Sequence, residues 1–177
     1  MKQKWMSTDG GPFVVLPRSF LLEWHGIDTE LREPTDYEAA CSVNNYTGVL
    51  TRDCYEILVV NDEPLQTAFT RASHLPCLVR WRFASGPDAV AEAIRVLADV
   101  VGTLRTVQTM TWRVESADLV MFDAASDGRD EPELLEIDLT PGLYQVKTFL
   151  YDPSDSVGLV VHGFFKLGDK PKPDHVC

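Results

Sequence analysis

The sequence predicts an α+β, β-rich fold: antiparallel sheets with a sandwich-like C-terminal lobe and one main helix at about residues 86–104. Three observations carry this expectation. Short apolar or alternating runs, bounded by Gly, Pro, Asn and Asp, recur along the chain, which is how strands and turns read. Only one segment repeats apolar residues at helical spacing, through Val90, Ala93, Ile94, Leu97, Val100, Val101 and Leu104. Apolar residues make up 45% of 177 residues, enough to build a core without metals or disulfides.

Each element follows from local pattern. Residues 4–9 read as a short strand, closed by a turn at Gly10-Gly11-Pro12. Phe13 to Leu16 is a compact apolar run and reads as a buried strand; Pro17 ends it, and 18–24 fit one or two helical turns. Residues 25–36 are acidic and irregular, a surface loop or insertion. Asp36 reads as a helix N-cap, since its carboxylate can accept from the first free N–H groups, and Tyr37 to Cys41 follows as a short piece. Gly48-Val49-Leu50 and Cys54 to Val60 read as a hairpin. Asn61-Asp62-Glu63-Pro64 is a turn, and 65–70 a further strand.

Cys77 to Ala84 alternates most clearly. Leu78, Arg80, Arg82 and Ala84 share one face, and Cys77, Val79, Trp81 and Phe83 the other. Ser85-Gly86-Pro87-Asp88 fits a capping box for the helix. Strands are then expected at 108–114, 117–123, 133–139, 143–150 and 157–166, with turns at Pro141-Gly142 and Asp152-Pro153-Ser154-Asp155. One domain is expected over 1–167, with lobes 1–105 and 106–167, the second forming its own small sandwich. A loose tail is expected at 168–177.

Charge is the unusual bulk feature. Asp and Glu number 27 against 16 Lys and Arg, a net charge of −11. That balance disfavours nucleic acid and anionic membranes and would steer a basic partner toward the surface. Acidity for solubility alone is the competing reading. No apolar leader follows Met1, and no apolar run approaches the ~20 residues of a membrane span. A cytoplasmic location with reduced thiols is the expectation.

Catalytic constellations are sparse. Gly10-Gly11-Pro12 is not followed by the G-K-[ST] of a phosphate loop. Cys41, Cys54, Cys77 and Cys177 form no C-x-x-C pair, so a zinc site is not expected; no cofactor is expected. Apolar or β-type neighbours predict that Cys41, Cys54 and Cys77 are buried. A Cys–His dyad with His25, His74 or His162 stays conceivable, but His162 lies in an apolar run and reads as a core or edge histidine. Asp127-Gly128-Arg129-Asp130-Glu131 lacks the spacing of a calcium loop.

Two acidic stretches remain. Glu23 to Glu38 holds six carboxylates, and Asp123 to Asp138 holds seven with one arginine. They are either solvated loops or an acidic face for a basic cleft. On the second reading the candidate partner-binding residues are Asp28, Glu30 and Glu33 in one stretch and Asp127, Asp130 and Glu131 in the other. Trp24, beside the acidic loop, would be an exposed aromatic anchor.

Several segments together resemble a known family. They are Trp5 with Gly10-Gly11-Pro12; Trp24-His25-Gly26; Asp36-Tyr37 with Ala40-Cys41; Tyr46 with Gly48-Val49; Asn61-Asp62-Glu63-Pro64-Leu65 with Thr67; and Arg80-Trp81. In the second half they are Phe122-Asp123-Ala124-Ala125, Asp138-Leu139, Pro141-Gly142-Leu143-Tyr144-Gln145-Val146 and Val161-His162. In order and spacing the chain resembles the immunity protein 21 family of bacterial polymorphic toxin systems, with Leu143 where that family usually has Arg. The resemblance implies an intracellular antidote that binds and occludes a cognate toxin domain, acting without catalytic residues. Many such toxins are nucleases with basic clefts. A small-ligand or metal-dependent enzyme on a β-sandwich, or an interaction module outside toxin systems, are the competing readings. Monomer and homodimer both remain open.

Overall fold

The computed structural model describes residues 3–27, 35–53, 55–61, 63–130 and 132–168. In chain order the elements are β1 (Phe13–Pro17), the 3-10 helix η1 (Arg18–Glu23), α1 (Asp36–Cys41), β2 (Thr47–Arg52), β3 (Tyr55–Val60), β4 (Gln66–Ala72) and β5 (Leu75–Ala84). Then come α2 (Pro87–Val100), η2 (Val101–Thr103), β6 (Thr106–Val114), β7 (Leu119–Asp123), η3 (Gly128–Asp130), β8 (Leu135–Ile137), β9 (Gly142–Ser154) and β10 (Val157–Gly168). The β-rich α+β class and the single main helix are as the sequence predicts.

The strands form two five-stranded antiparallel sheets. Sheet I runs β2-β3-β1-β7-β8, and sheet II runs β4-β5-β10-β9-β6. Phe13, Val15, Leu58, Val60, Leu119 and Met121 of sheet I meet Leu78, Trp112, Tyr144, Val146 and Phe164 of sheet II in one apolar core. Both outer faces are covered as well. Val90, Ala93 and Leu97 of α2 pack on Cys77, Val79, Phe149, Leu159 and Val161 of sheet II. Phe20 of η1, Trp24 and Ala40 of α1 pack on Val14, Leu16, Ile57, Val59, Val120 and Phe122 of sheet I. Each sheet is therefore buried on both sides, which explains why β1 reads as a continuous apolar run rather than an alternating one.

Several expectations are corrected. The chain does not divide into lobes at 105. β7 and β8 pair into the sheet of β1, and β4 and β5 into the sheet of β9 and β10. The C-terminal strands form no sandwich of their own. Residues 4–9 contribute one isolated bridge, Met6 to Thr67, rather than a strand. The α1 N-cap is Thr35, not Asp36. Thr35 accepts from the Glu38 N–H and the Glu38 carboxylate accepts from the Thr35 N–H, a reciprocal capping box. Asp36 is freed for the long-range bonds described below. At α2 the N-cap is Gly86, with no side-chain cap, and Pro87 in the first turn starts the helix. β9 runs to Ser154, so the turn after it falls at residues 155–156. The tail beyond 168 lies outside the described residues.

A row of polar side chains crosses sheet II inside the core. Thr67 lies opposite Arg80, and His162 opposite Thr148. All four are buried. Arg80 donates to Thr67 Oγ1 at 3.3 Å and to the carbonyls of Asn61 and Glu63. His162 Nδ1 meets Thr148 Oγ1 at 3.0 Å, while its Nε2 has no hydrogen-bond partner among the described residues. Burial, aided by the nearby Arg80 charge, holds the His162 pKa well below the usual 6.5.

A pH dependence follows. The folded state keeps His162 neutral where the unfolded chain takes up a proton. Its contribution is complete above about pH 6.5 and is lost as pH falls below it, at up to about 1.4 kcal/mol per pH unit. Urea unfolding between about pH 7 and 5 should show a steeper loss in the natural chain than in His162→Gln. Equal slopes would contradict a neutral buried His162.

Candidate functional site

The residues after η1 and the residues after β7 form one corner of the molecule. Their adjacency begins in the register of β1 against β7, which sets Phe13 opposite Asp123 and Pro17 opposite Leu119. η1 leaves β1 at the other end, after Pro17, and folds back over the outer face of sheet I toward the end of β7, burying Phe20. The chain from 24 to 27 then meets the chain from 124 to 128.

Hydrogen bonds fasten the two segments. Trp24 Nε1 donates to the Ala124 carbonyl at 3.0 Å, and the Ile27 N–H to the Ala125 carbonyl at 3.0 Å. The Gly128 N–H donates back to the Trp24 carbonyl at 3.2 Å. Asp36 ties in α1: its Oδ2 accepts from the His25 N–H at 3.0 Å and its Oδ1 from Arg52 Nε at 2.6 Å. The Tyr37 N–H adds a bond to the His25 carbonyl at 3.2 Å.

The backbones approach so closely that two positions admit only glycine. A Cβ on Gly26 would lie 2.4 Å from the Ala125 carbonyl oxygen, and one on Gly128 1.7 Å from the Leu21 carbonyl oxygen. Both obstacles are main-chain atoms that cannot swing away.

Trp24 is fully buried, which corrects its expected exposure. Its ring stands edge-on to Phe122 at 6.1 Å and its N–H is satisfied, so it is a core residue that joins the segments. The apolar side chains facing solvent are its neighbours, Leu22 at 65% exposure and Ile27 at 59%. Sequence reasoning missed both. Leu22 is one of a Leu-Leu pair, and nothing local says which of the two turns outward.

Of the acidic candidates, Asp127 and Asp130 are at this corner. Asp127 accepts from Arg129 through both oxygens, at 2.8 and 2.7 Å, and from the Arg129 N–H at 2.9 Å. The Arg129 hydrogen bonds, above all, pull its pKa down to about 2, with a small contribution from His25. Arg129 also lies 3.1 Å from His25 Nδ1. Asp130 is exposed, as is Glu23 on the facing segment. Asp28, Glu30, Glu33 and Glu131 lie outside the described residues. The two acidic stretches, about a hundred positions apart in sequence, therefore adjoin at residues 23–27 and 124–130.

Of the groups considered for catalysis, His25 stands at the corner beside Arg129. Burial pushes the Cys77 thiol up to about 12, so it holds its proton at neutral pH. Cys41 is exposed, contrary to expectation, because it is the last residue of a two-turn helix covering sheet I with its other face. Cys54 lies outside the described residues. Among those described, no group of three His, Cys, Asp or Glu is placed to hold a metal ion. No helix among them is long and apolar enough to cross a membrane.

The glycine contacts generate a test. Gly128→Ala should lose about 1–3 kcal/mol or more, because the new methyl overlaps a fixed carbonyl. Gly102→Ala meets nothing within 4 Å and should be neutral or gain about 0.4–1 kcal/mol. Thermal melts of the two variants compare them directly; equal effects would mean the corner yields.

Comparison with known proteins returns one family. No curated protein and no solved structure matches the chain. The family model described as immunity protein 21 matches residues 4–156, which span η1, the corner, all of sheet I, α2 and every strand of sheet II except β10. The chain belongs to the immunity protein 21 family.

Proposed function

We propose that the chain neutralises a cognate toxin domain in the cytoplasm by occluding it, and that the toxin-facing surface is acidic. The family match over residues 4–156 is the observation that carries the first part. The charge of −11 and the meeting of the two acidic stretches at one corner support the second.

Occlusion asks for a surface that is complementary and already in shape. The corner meets the second demand, since bound geometry that is built in advance lowers the ordering cost of association. Negative charge suits a toxin whose own ligand is anionic. A nuclease cleft is basic because it holds phosphates, and carboxylates can take their place. Attraction of this kind acts over a Debye length of about 8–10 Å, so it speeds encounter and weakens with salt. Asp130 belongs to this surface with Glu23, and Asp127 helps by holding Arg129. By sequence Asp28, Glu30, Glu33 and Glu131 extend it. The reading needs no cofactor and no nucleic acid.

Co-expression with the toxin encoded beside the chain's gene tests the function: growth should be restored, and unchanged toxicity would end the reading. Charge reversal tests the mode. Glu23→Lys with Asp130→Lys should slow association at low salt by about tenfold and flatten its salt dependence. Natural rates at low salt would place the acidic contact elsewhere.

A further inference from the structure

We infer that Leu22 and Ile27 are the apolar anchors of a protein-docking surface at this corner, and that the surface fits a basic protein face carrying an apolar recess. This rests on the reading above that the chain binds another protein, and adds where and through which side chains.

Single exposed apolar residues are ordinary on any protein. These two are different in placement. Among the described residues they are the two most exposed large apolar side chains, ahead of Leu167 at 54%. They stand within one six-residue segment, on either side of Trp24, which is itself fully buried. Trp24 and Phe20 take the inward positions on sheet I, so Leu22 is left facing out. Ile27 is held out by its own N–H bond to Ala125.

The platform beneath them is fixed. Trp24 Nε1, the Ile27 N–H and the Gly128 N–H all bond across the two segments, and Gly26 and Gly128 leave no slack. Exposed apolar groups on a backbone that has little order left to lose are suited to act as binding hot spots.

Charge selects the partner. Glu23 lies beside Leu22 in the chain, and Asp130 is on the facing segment. The one described cation of the facing segment, Arg129, is drawn onto Asp127. Two copies of a chain at −11 would bring like charge together here, which disfavours a homodimer through this corner. A basic partner gains from the same charges while its recess desolvates Leu22 and Ile27.

Two probes test this. The first is an amphipathic Leu/Lys peptide, titrated into the isotope-labelled full chain and followed by amide shifts. Shifts should concentrate at residues 21–27 and 124–130, shrink with added salt, and demand about tenfold more peptide in Leu22→Ala/Ile27→Ala. Shifts centred elsewhere, or equal affinity in the variant, overturn the inference. The second is the neighbouring-gene toxin domain, measured by calorimetry against the natural chain, Leu22→Ala/Ile27→Ala, and Val107→Ala/Leu150→Ala as an exposed apolar control. The corner variant should bind about tenfold or more weaker and the control unchanged. If the toxin binds all three alike, the corner is wrong and the neutralising function stands. If the toxin binds none while the peptide seats at the corner, the neutralising function is wrong and the corner stands. A concentration-dependent dimer of the natural chain, abolished in the corner variant, overturns the basic partner in favour of a second copy. Unchanged melting of the variant shows that truncation has left the fold intact.

Discussion

Burial of both faces of β1 is the constraint on which the rest of the structure depends. Phe13 and Val15 point into the core between the sheets, while Val14 and Leu16 point the opposite way. A strand like this commits its sheet to a cover on the outer side, because an apolar sheet face left in water forfeits roughly 25 cal/mol per Å². η1, Trp24 and α1 supply that cover. The polypeptide must then run directly back over the strand it has just left, which only a short, tight turn allows. The 3-10 helix starting at Arg18, one residue after the strand ends, is the result.

The covering layer in turn determines what the corner presents. Trp24 lies deep because a large ring is needed over Val14, Leu16 and Phe122. Its buried N–H needs an acceptor, and the Ala124 carbonyl beyond β7 is the one in reach. That bond, with those of the Ile27 and Gly128 N–H groups, holds residues 124–130 against residues 21–27, and the glycines at 26 and 128 let the main chains touch. The outward placing of Leu22 and Ile27 thus follows from satisfying the core. A surface produced this way is stiff, because moving it would expose Trp24 or break its bond.

Local pattern revealed a good share of this. The helix at 87–100 was legible because its apolar stripe repeats over several turns, and β5 because its faces differ in kind. The two-sheet pairing was not legible. β1 pairs with β7 across about a hundred residues, and no local signal distinguishes that partner from β2 or β10. The same distance hides the truth about Trp24. Its sequence neighbours are Glu23 and His25, which suggest a surface position, yet its packing partners are Phe122 and Ala124. Asp36 misled for a related reason. Asp and Thr are both good N-caps, and the choice fell to Thr35 because Glu38 completes its box, while Asp36 is engaged by Arg52 and the His25 N–H.

Electrostatics ties the fold to its surface in one further step. Most described ion pairs spend an arginine: Arg18 with Asp118 and Glu136, Arg71 with Asp138, Arg82 with Asp152, and Arg129 with Asp127. Exposed pairs of this sort add little to stability, typically below about 1 kcal/mol each. Their larger consequence is for the field outside. Each neutralises a cation that would otherwise dilute the negative surface, and carboxylates outnumber cations by 27 to 16. Arg129 illustrates the point at the corner itself: bound through two nitrogens to Asp127 and aimed at His25 Nδ1, it fastens the loop while the carboxylate beside it matches its charge. The arginines paired in this way are matched within the acidic surface, and the net charge of −11 is what an approaching basic protein would meet.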